Sequence, residues 1–196
     1  VYVSIHDYGA ASPALAGLLT LAFCAGLALF FALPAWAWAK WLRRERALLT
    51  DALAFAALWV AQEALRSWLF TGFPWLYVGY GQLDGPLGGL APLGGVWLLS
   101  FAMALTAALL ANLPALLPRG RCLLGAGLLL AALWGGGLWF KDQPWTRPAG
   151  PALKVAAMQG NVEQNLKWDP EQLNAQLALY RDMTFAEAPA DLYVWP

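Results

Sequence analysis

The chain has 196 residues, of which 60% are hydrophobic and 12% charged, and its mean hydropathy is +0.52. Soluble domains carry about 25% charged residues, so the composition excludes an ordinary soluble globule and indicates an integral membrane protein. Net charge is zero, so no global field draws in nucleic acid or an acidic partner.

Twelve Trp and 19 Gly fit a membrane chain. Trp favours the interface, and Gly is commoner in membrane helices than in soluble ones. Cys24 and Cys122 each lie in or beside an apolar run. They have no metal-ligand spacing and imply no disulfide framework. Both are expected to be packing residues, since a thiol in hydrocarbon is a poor nucleophile. Nothing in the residues implies a metal or another cofactor. The chain does not open on a charged n-region and cleavage site, so no signal peptide is expected within it, and both ends are expected to be cuts in a longer polypeptide.

Val1–Gly9 is aromatic and mildly polar and suits an interfacial loop. His6, the single histidine, lacks a nameable acid–base partner. The first span is expected over 14–39, long enough to cross a bilayer although Pro34 interrupts it. Trp36, Trp38 and Trp41 mark an interface. The run 40–46, KWLRRER, then places Lys40, Arg43, Arg44 and Arg46 in one short loop, which the positive-inside rule makes cytoplasmic.

A second span is expected over 47–70. Glu63 and Arg66 are three residues apart and share a helix face; with Gln62 they put polar groups at membrane depth, where they are costly. The spacing favours a mutually neutralising pair that fixes helix packing over a polar lining at a substrate entrance. The loop 71–85, TGFPWLYVGYGQLDG, is broken by Gly72 and Pro74 and crowded by Phe73, Trp75, Tyr77 and Tyr80. An aromatic belt accounts for it; a lipid-contacting arm is the sharper alternative.

The third and fourth spans are expected over 90–117 and 122–140, joined by the basic loop Pro118–Arg121. Glycines at 88, 89, 94 and 95 permit close helix approach. Residues 141–151, KDQPWTRPAGP, read as a linker leaving the bilayer. They divide a membrane bundle, residues 1–140, from the start of a second domain, 152–196. There, 152–158 fits a short strand. Residues 170–188 fit an amphipathic helix, with Leu173, Leu177 and Tyr180 on one face and Asp169-Pro170-Glu171 as its start signal. Residues 191–195 fit a second strand. That order begins an α/β layered domain.

The segment Gln159–Trp168 leaves the end of a strand, where such folds gather their chemistry. It carries amides (Gln159, Asn161, Gln164, Asn165), Glu163, Lys167 and Trp168. These could orient a polar head group while Trp168 packs on an acyl chain. They could equally form a loop that bonds to itself and buries Trp168 in its own core. The residues show no Ser/His/Asp set, phosphate-cradling loop or metal cluster.

Four stretches in order resemble the apolipoprotein N-acyltransferase family: VYVSI at 1–5; EALR at 63–66 running into TGFPW at 71–75; GY at 79–80 through GP at 85–86 to LAP at 90–92; and QGN at 159–161 with LKWD at 166–169. The resemblance implies a polytopic helical membrane domain, about four spans of it here, followed by the beginning of an extracytoplasmic α/β nitrilase-like (carbon–nitrogen hydrolase) domain. It implies N-acylation of the diacylglyceryl cysteine of an apolipoprotein, with a membrane phospholipid as acyl donor, in a bacterial inner membrane. It implies a Glu, Lys, Cys triad. The Glu would follow Trp195-Pro196, with Lys and Cys further on, so Lys154, Lys167, Cys24 and Cys122 are not triad members. Trp168 matches a Trp that supports activity in the family. Gln159, Lys167, Arg66, Phe73 and Trp75 are the expected substrate-binding residues. Cofactors and nucleic acid are not implied. Two rival readings are a non-enzymatic polytopic packing or transport protein with Gln62, Glu63 and Arg66 lining a conduit, and a membrane-tethered amide hydrolase.

Overall fold

The computed structural model describes residues 1–43, 47–163, 166–167, 169–187 and 189–196. The chain is mostly helical; among the described residues four helices are long and apolar enough to cross a membrane, and a small parallel sheet follows them. It divides into two compact units, Ala14–Trp145 and Val1–Pro13 with Thr146–Pro196.

In the first unit, α2 (Pro13–Ala37) continues as a wider π turn, Trp38–Leu42. Its Ala/Leu/Phe sequence is apolar on every side, the pattern of a helix meant for hydrocarbon, and only 6% of its most apolar window is buried by protein. Pro34 sits inside it; such breaks are tolerated where neighbouring groups re-satisfy the backbone. Lys40 lies over the rings of Trp36 and Trp41. Arg44 and Arg46, which carry half the basic loop's charge, lie outside the described residues.

The helix α3 (Leu48–Arg66) and the helix α4 (Ala91–Ala111) form the centre of the bundle. Their core holds Leu48, Ala52, Ala56, Ala104, Leu105 and Ala108. Leu48, Ala52 and Ala56 recur every four residues, and small side chains on both helices let the backbones approach. A short helix α5 (Leu113–Leu116) leads into α6 (Gly120–Lys141). Here α6 packs on the 3-10 turn Pro86–Leu90. The contact requires glycine: a Cβ on Gly89 would collide with the carbonyl oxygen of Gly137 and with the backbone of Lys141. Trp134 Nε1 donates to Thr106 Oγ1 at 3.1 Å, tying α6 to α4.

The spans are Pro13–Leu42, Leu48–Arg66, Pro86–Ala111 and Gly120–Lys141. The second is shorter than the apolar run that contains it. Beyond Arg66 the Ser67 hydroxyl donates back to Ala64 O at 2.6 Å, and Phe70 and Thr71 take positive φ, which ends a helix. The third stops at Ala111, where Asn112 Nδ2 donates to Ala108 O and Pro114 opens α5. Val1–Gly9, expected as a loop, instead contains a helical turn, α1 (Tyr2–His6).

In the second unit, β1 (Val155–Ala157) pairs in parallel with β2 (Leu192–Val194), with Val155 opposite Leu192 and Ala157 opposite Val194. Parallel strands need a crossover, supplied by α7 (Leu173–Ala186). The Asp191 carboxylate accepts from Lys154 N at 2.8 Å and Val194 O from Met158 N at 2.9 Å, closing both ends of the ladder. The α7 start signal works as the sequence suggests: Asp169 Oδ1 accepts from Glu171 N at 2.9 Å, and Pro170 opens the preceding 3-10 turn. Tyr180 stacks on Trp195, whose Nε1 donates to Thr184 Oγ1.

Candidate functional site

The residues singled out in the sequence fall into two groups, one in each unit. Gln159 and Lys167 belong to the loop between β1 and α7, and both are exposed. Gly160 lies against the Tyr180 ring, and Asn161 takes a positive φ of 51°. Lys167 N and Leu166 N both donate to Glu163 O, and Gln176 Nε2 donates to Leu166 O, so the end of the loop is bound to α7. Its side chains present an amide and an amine to solvent. Trp168, Gln164 and Asn165 lie outside the described residues.

The second group surrounds the end of α3. Gln62, Glu63 and Arg66 are 3%, 0% and 1% exposed. The i,i+3 spacing leads one to expect a Glu63–Arg66 ion pair, and none is formed among the described residues. Each side chain is taken by a more distant partner. Glu63 Oε1 accepts from Trp59 Nε1 and from Val78 N, both at 3.1 Å. The Arg66 guanidinium lies between the rings of Phe31 and Tyr77, 5.3 and 5.5 Å from their centres, and Nη2 reaches Leu76 O at 3.4 Å. Polar groups at this depth need such partners; the loop 71–78 supplies some of them, while Glu63 Oε2, Arg66 Nε and Nη1 and both amide atoms of Gln62 have none among the described residues.

That loop is held in an unfavourable backbone. Phe70, Thr71 and Leu76 have φ of 52°, 78° and 64°, each costing about 1–3 kcal/mol unless the surroundings impose it. The surroundings do. Arg66 O accepts from Phe73 N at 2.7 Å, Glu63 accepts from Val78 N, and Ser100 Oγ, buried in α4, accepts from Gly79 N at 2.9 Å. Gly72 (φ 86°) sits where a Cβ would collide with Ser67 O. The result projects Trp75 and Leu76 outward, largely exposed. Phe73 turns inward, edge-on to Phe23 of α2 at 5.5 Å.

Between α2 and the end of α3 runs an open groove of about 810 Å³, lined by Phe23, Leu27, Phe30, Gln62, Arg66 and Phe73 among others. Its walls are apolar except near Gln62 and Arg66. The sequence reading passed over Trp59 and Ser100, and took Tyr77 only as one of the aromatics of the loop. Trp59 was within reach as the residue one turn before Glu63. Tyr77 and Ser100 act through contacts across loops and helices, which no local pattern records.

Four apolar helices, a polar cluster that clamps an aromatic loop, and a β-α-β start define a multi-pass membrane protein carrying an α/β element. The sequence model of the apolipoprotein N-acyltransferase N-terminal domain matches residues 1–109, and the chain belongs to that family. The apolipoprotein N-acyltransferase of Azotobacter vinelandii is 70% identical over 197 residues, covering 100% of this chain and 38% of the relative. That of Pseudomonas syringae pv. tomato is 67% identical, covering 100% of the chain and 39% of the relative. The Coxiella burnetii protein of the same name is 41% identical over 199 residues, covering 40% of its own length. The resemblance read from the motifs is thus borne out across the whole chain, which spans about two-fifths of these relatives.

Proposed function

We propose that this chain acts, within a polypeptide of its relatives' length, as the membrane platform and first domain edge of an apolipoprotein N-acyltransferase. The observation that carries this reading is the 70% identity to such an enzyme over the full chain. On this reading residues 1–140 are the membrane bundle, 141–151 a linker, and 152–196 the beginning of a nitrilase-like domain on the periplasmic face of the inner membrane. The orientation rests on the two short basic loops, at 40–46 and 118–121, facing the cytoplasm.

The reaction is a two-step acyl transfer. A Cys thiolate, deprotonated by a Glu, attacks the carbonyl carbon of a phospholipid ester. A Lys stabilises the oxyanion. The C–O bond breaks, the lysophospholipid leaves with the proton, and a thioester remains. The α-amino group of a diacylglyceryl cysteine then attacks the thioester, an amide forms and the thiol is released. The triad is supplied by the polypeptide outside these residues. Within them, Trp168 supports the acyl or head-group pocket, Gln159 and Lys167 offer polar contacts to the head group, and Arg66, Phe73 and Trp75 form the membrane-side contacts. Both substrates, phospholipid and apolipoprotein, are anchored in the bilayer, which is the physical reason for mounting the domain on spans.

The test is transfer of a labelled acyl chain from phospholipid to a diacylglyceryl-cysteine peptide in proteoliposomes. The full-length protein is expected to transfer, its Trp168→Ala variant to transfer more slowly, and residues 1–196 alone not to transfer. An inactive full-length protein in a folded state sinks the reading.

A further inference from the structure

We infer that the basic, Trp-lined end of the bundle, where α2 passes into its π turn, holds an anionic glycerophospholipid whose phosphate sits on the Lys40 ammonium. This end is remote from the polar cluster. Trp38 stands edge-on to Phe55, and α3 runs from Leu48 at this end to Arg66 at the other, about 27 Å at 1.5 Å per residue. The lipid is a fixed neighbour of the bundle and not a substrate, so the site stands whether or not the protein transfers acyl chains. The π turn closes with Arg43 N donating to Trp38 O at 2.8 Å, five residues back, a geometry that recurs at functional sites. It gathers charge and rings together. Lys40 Nζ lies 4.7 Å from the centre of the Trp36 ring and 5.6 Å from that of Trp41. Those two rings meet edge-to-face at 4.8 Å, and the Arg43 guanidinium lies 5.8 Å from the Trp38 ring. The indoles fix the ammonium in place but carry no formal charge, and among the described residues Lys40 Nζ has no hydrogen-bond acceptor.

The second basic loop stands at the same end. Cys122 and Leu123 pack on the core that holds Leu48, and a Cβ on Gly125 would meet Leu49. Arg119 and Arg121, both exposed, therefore add their charge beside the start of α3. Among the described residues the carboxylate at this end is Asp51, which is buried. Arg44, Glu45 and Arg46 lie outside the described residues, and the site needs none of them. Trp36 and Trp41 are 50% and 64% exposed, and Trp settles at head-group level, where the acceptors are lipid phosphates. A zwitterionic lipid faces its phosphate with its own cation; an anionic one does not, so clustered Lys and Arg at the end of a span favour the anionic head. Only 6% of the most apolar window of α2 is buried by protein, so a lipid held at its end adds an anchor that protein packing does not supply.

The experiment uses the full-length protein in detergent micelles with equimolar phosphatidylglycerol and phosphatidylcholine of the same acyl chains. Native mass spectrometry counts the lipids retained. Phosphatidylglycerol is expected to be retained in preference, and Lys40→Gln to cut its retention roughly fivefold, the worth of one Lys or Arg at an anionic surface, with phosphatidylcholine unchanged. Lys40→Arg is expected to restore it. Trp36→Leu with Trp41→Leu leaves every charge in place and removes the rings that fix the ammonium; it is expected to cut retention about two- to fivefold, the worth of a cation–π contact. Lys154→Gln removes the same charge from the second unit and is expected to change nothing. Equal retention of the two lipids, undiminished phosphatidylglycerol in Lys40→Gln or in the double Trp variant, or a loss in Lys154→Gln as large as that in Lys40→Gln overturns the proposal.

Discussion

The helices α2 and α3 are both apolar enough to span a bilayer, yet they are used in opposite ways. Of the most apolar window of each, 6% of α2 is buried by protein against 33% of α3. The more hydrophobic helix makes the fewer protein contacts. Hydropathy sets whether a segment enters hydrocarbon; it does not set where the segment packs, because lipid tails are as apolar as Leu. What draws α3 into the bundle is its small residues, Ala52 and Ala56, and its buried polar groups, Glu63 and Arg66, which must find partners in protein.

The sharpest way to break that contrast is Glu63→Ala. It removes the shared acceptor of Trp59 Nε1 and Val78 N. Hydrogen bonds to a charged group are worth about 1.5–3 kcal/mol each, so the loss of both is read as a fall of about 3 kcal/mol or more in stability, measured as the unfolding midpoint in mixed detergent micelles. Glu63→Gln keeps an acceptor oxygen and should recover most of the loss. If both variants unfold alike, hydrogen bonding is not what holds the loop.

Next in size is Gly89→Ala. Its methyl must displace the α6 backbone at Gly137, at about 2 kcal/mol for overpacking. Thermal unfolding should shift down, and a cysteine pair bridging the 86–90 turn to α6 should cross-link more slowly. Ser100→Ala comes third: Gly79 N loses its partner, costing about 1 kcal/mol, with faster amide exchange at Gly79 as the specific mark. The smallest effect belongs to α2. Leu21 is 69% exposed, and Leu21→Ala should change stability by less than about 0.5 kcal/mol. A loss there as large as that of Glu63→Ala would show that α2 is packed after all, and the contrast between the two helices would fail.

What the sequence made legible follows the same division. The four spans could be read because twenty-odd apolar residues in a row have few other uses. The α7 start could be read because its cap is local, Asp169 to Glu171. The end of α3 could not, since apolar residues continue to Phe70 while the backbone turns at Ser67. The Glu63–Arg66 pairing was misjudged for a related reason. Helical spacing reports which residues share a face, but Arg66 Nη2 goes to Leu76 O and Glu63 Oε1 also takes Val78 N, ten and fifteen residues away across a strained turn. Arg66 and Phe73 do come together around one groove, while Trp75 points away from it, a difference set by the positive φ of Leu76 and its neighbours rather than by residue type.

The parallel pairing of β1 and β2 also has a clock attached to it. Lys154 N finds its acceptor on Asp191, 37 residues later. At the roughly 5–20 residues per second of synthesis, β1 waits about two to seven seconds for the strand that satisfies it. During that interval its backbone donors and acceptors are open to any extended neighbour. Whatever receives the growing chain beyond α6 must therefore shelter Val155–Ala157 until Leu192–Val194 has emerged. A slowed ribosome over α7 lengthens that exposure and raises the yield of mispaired protein.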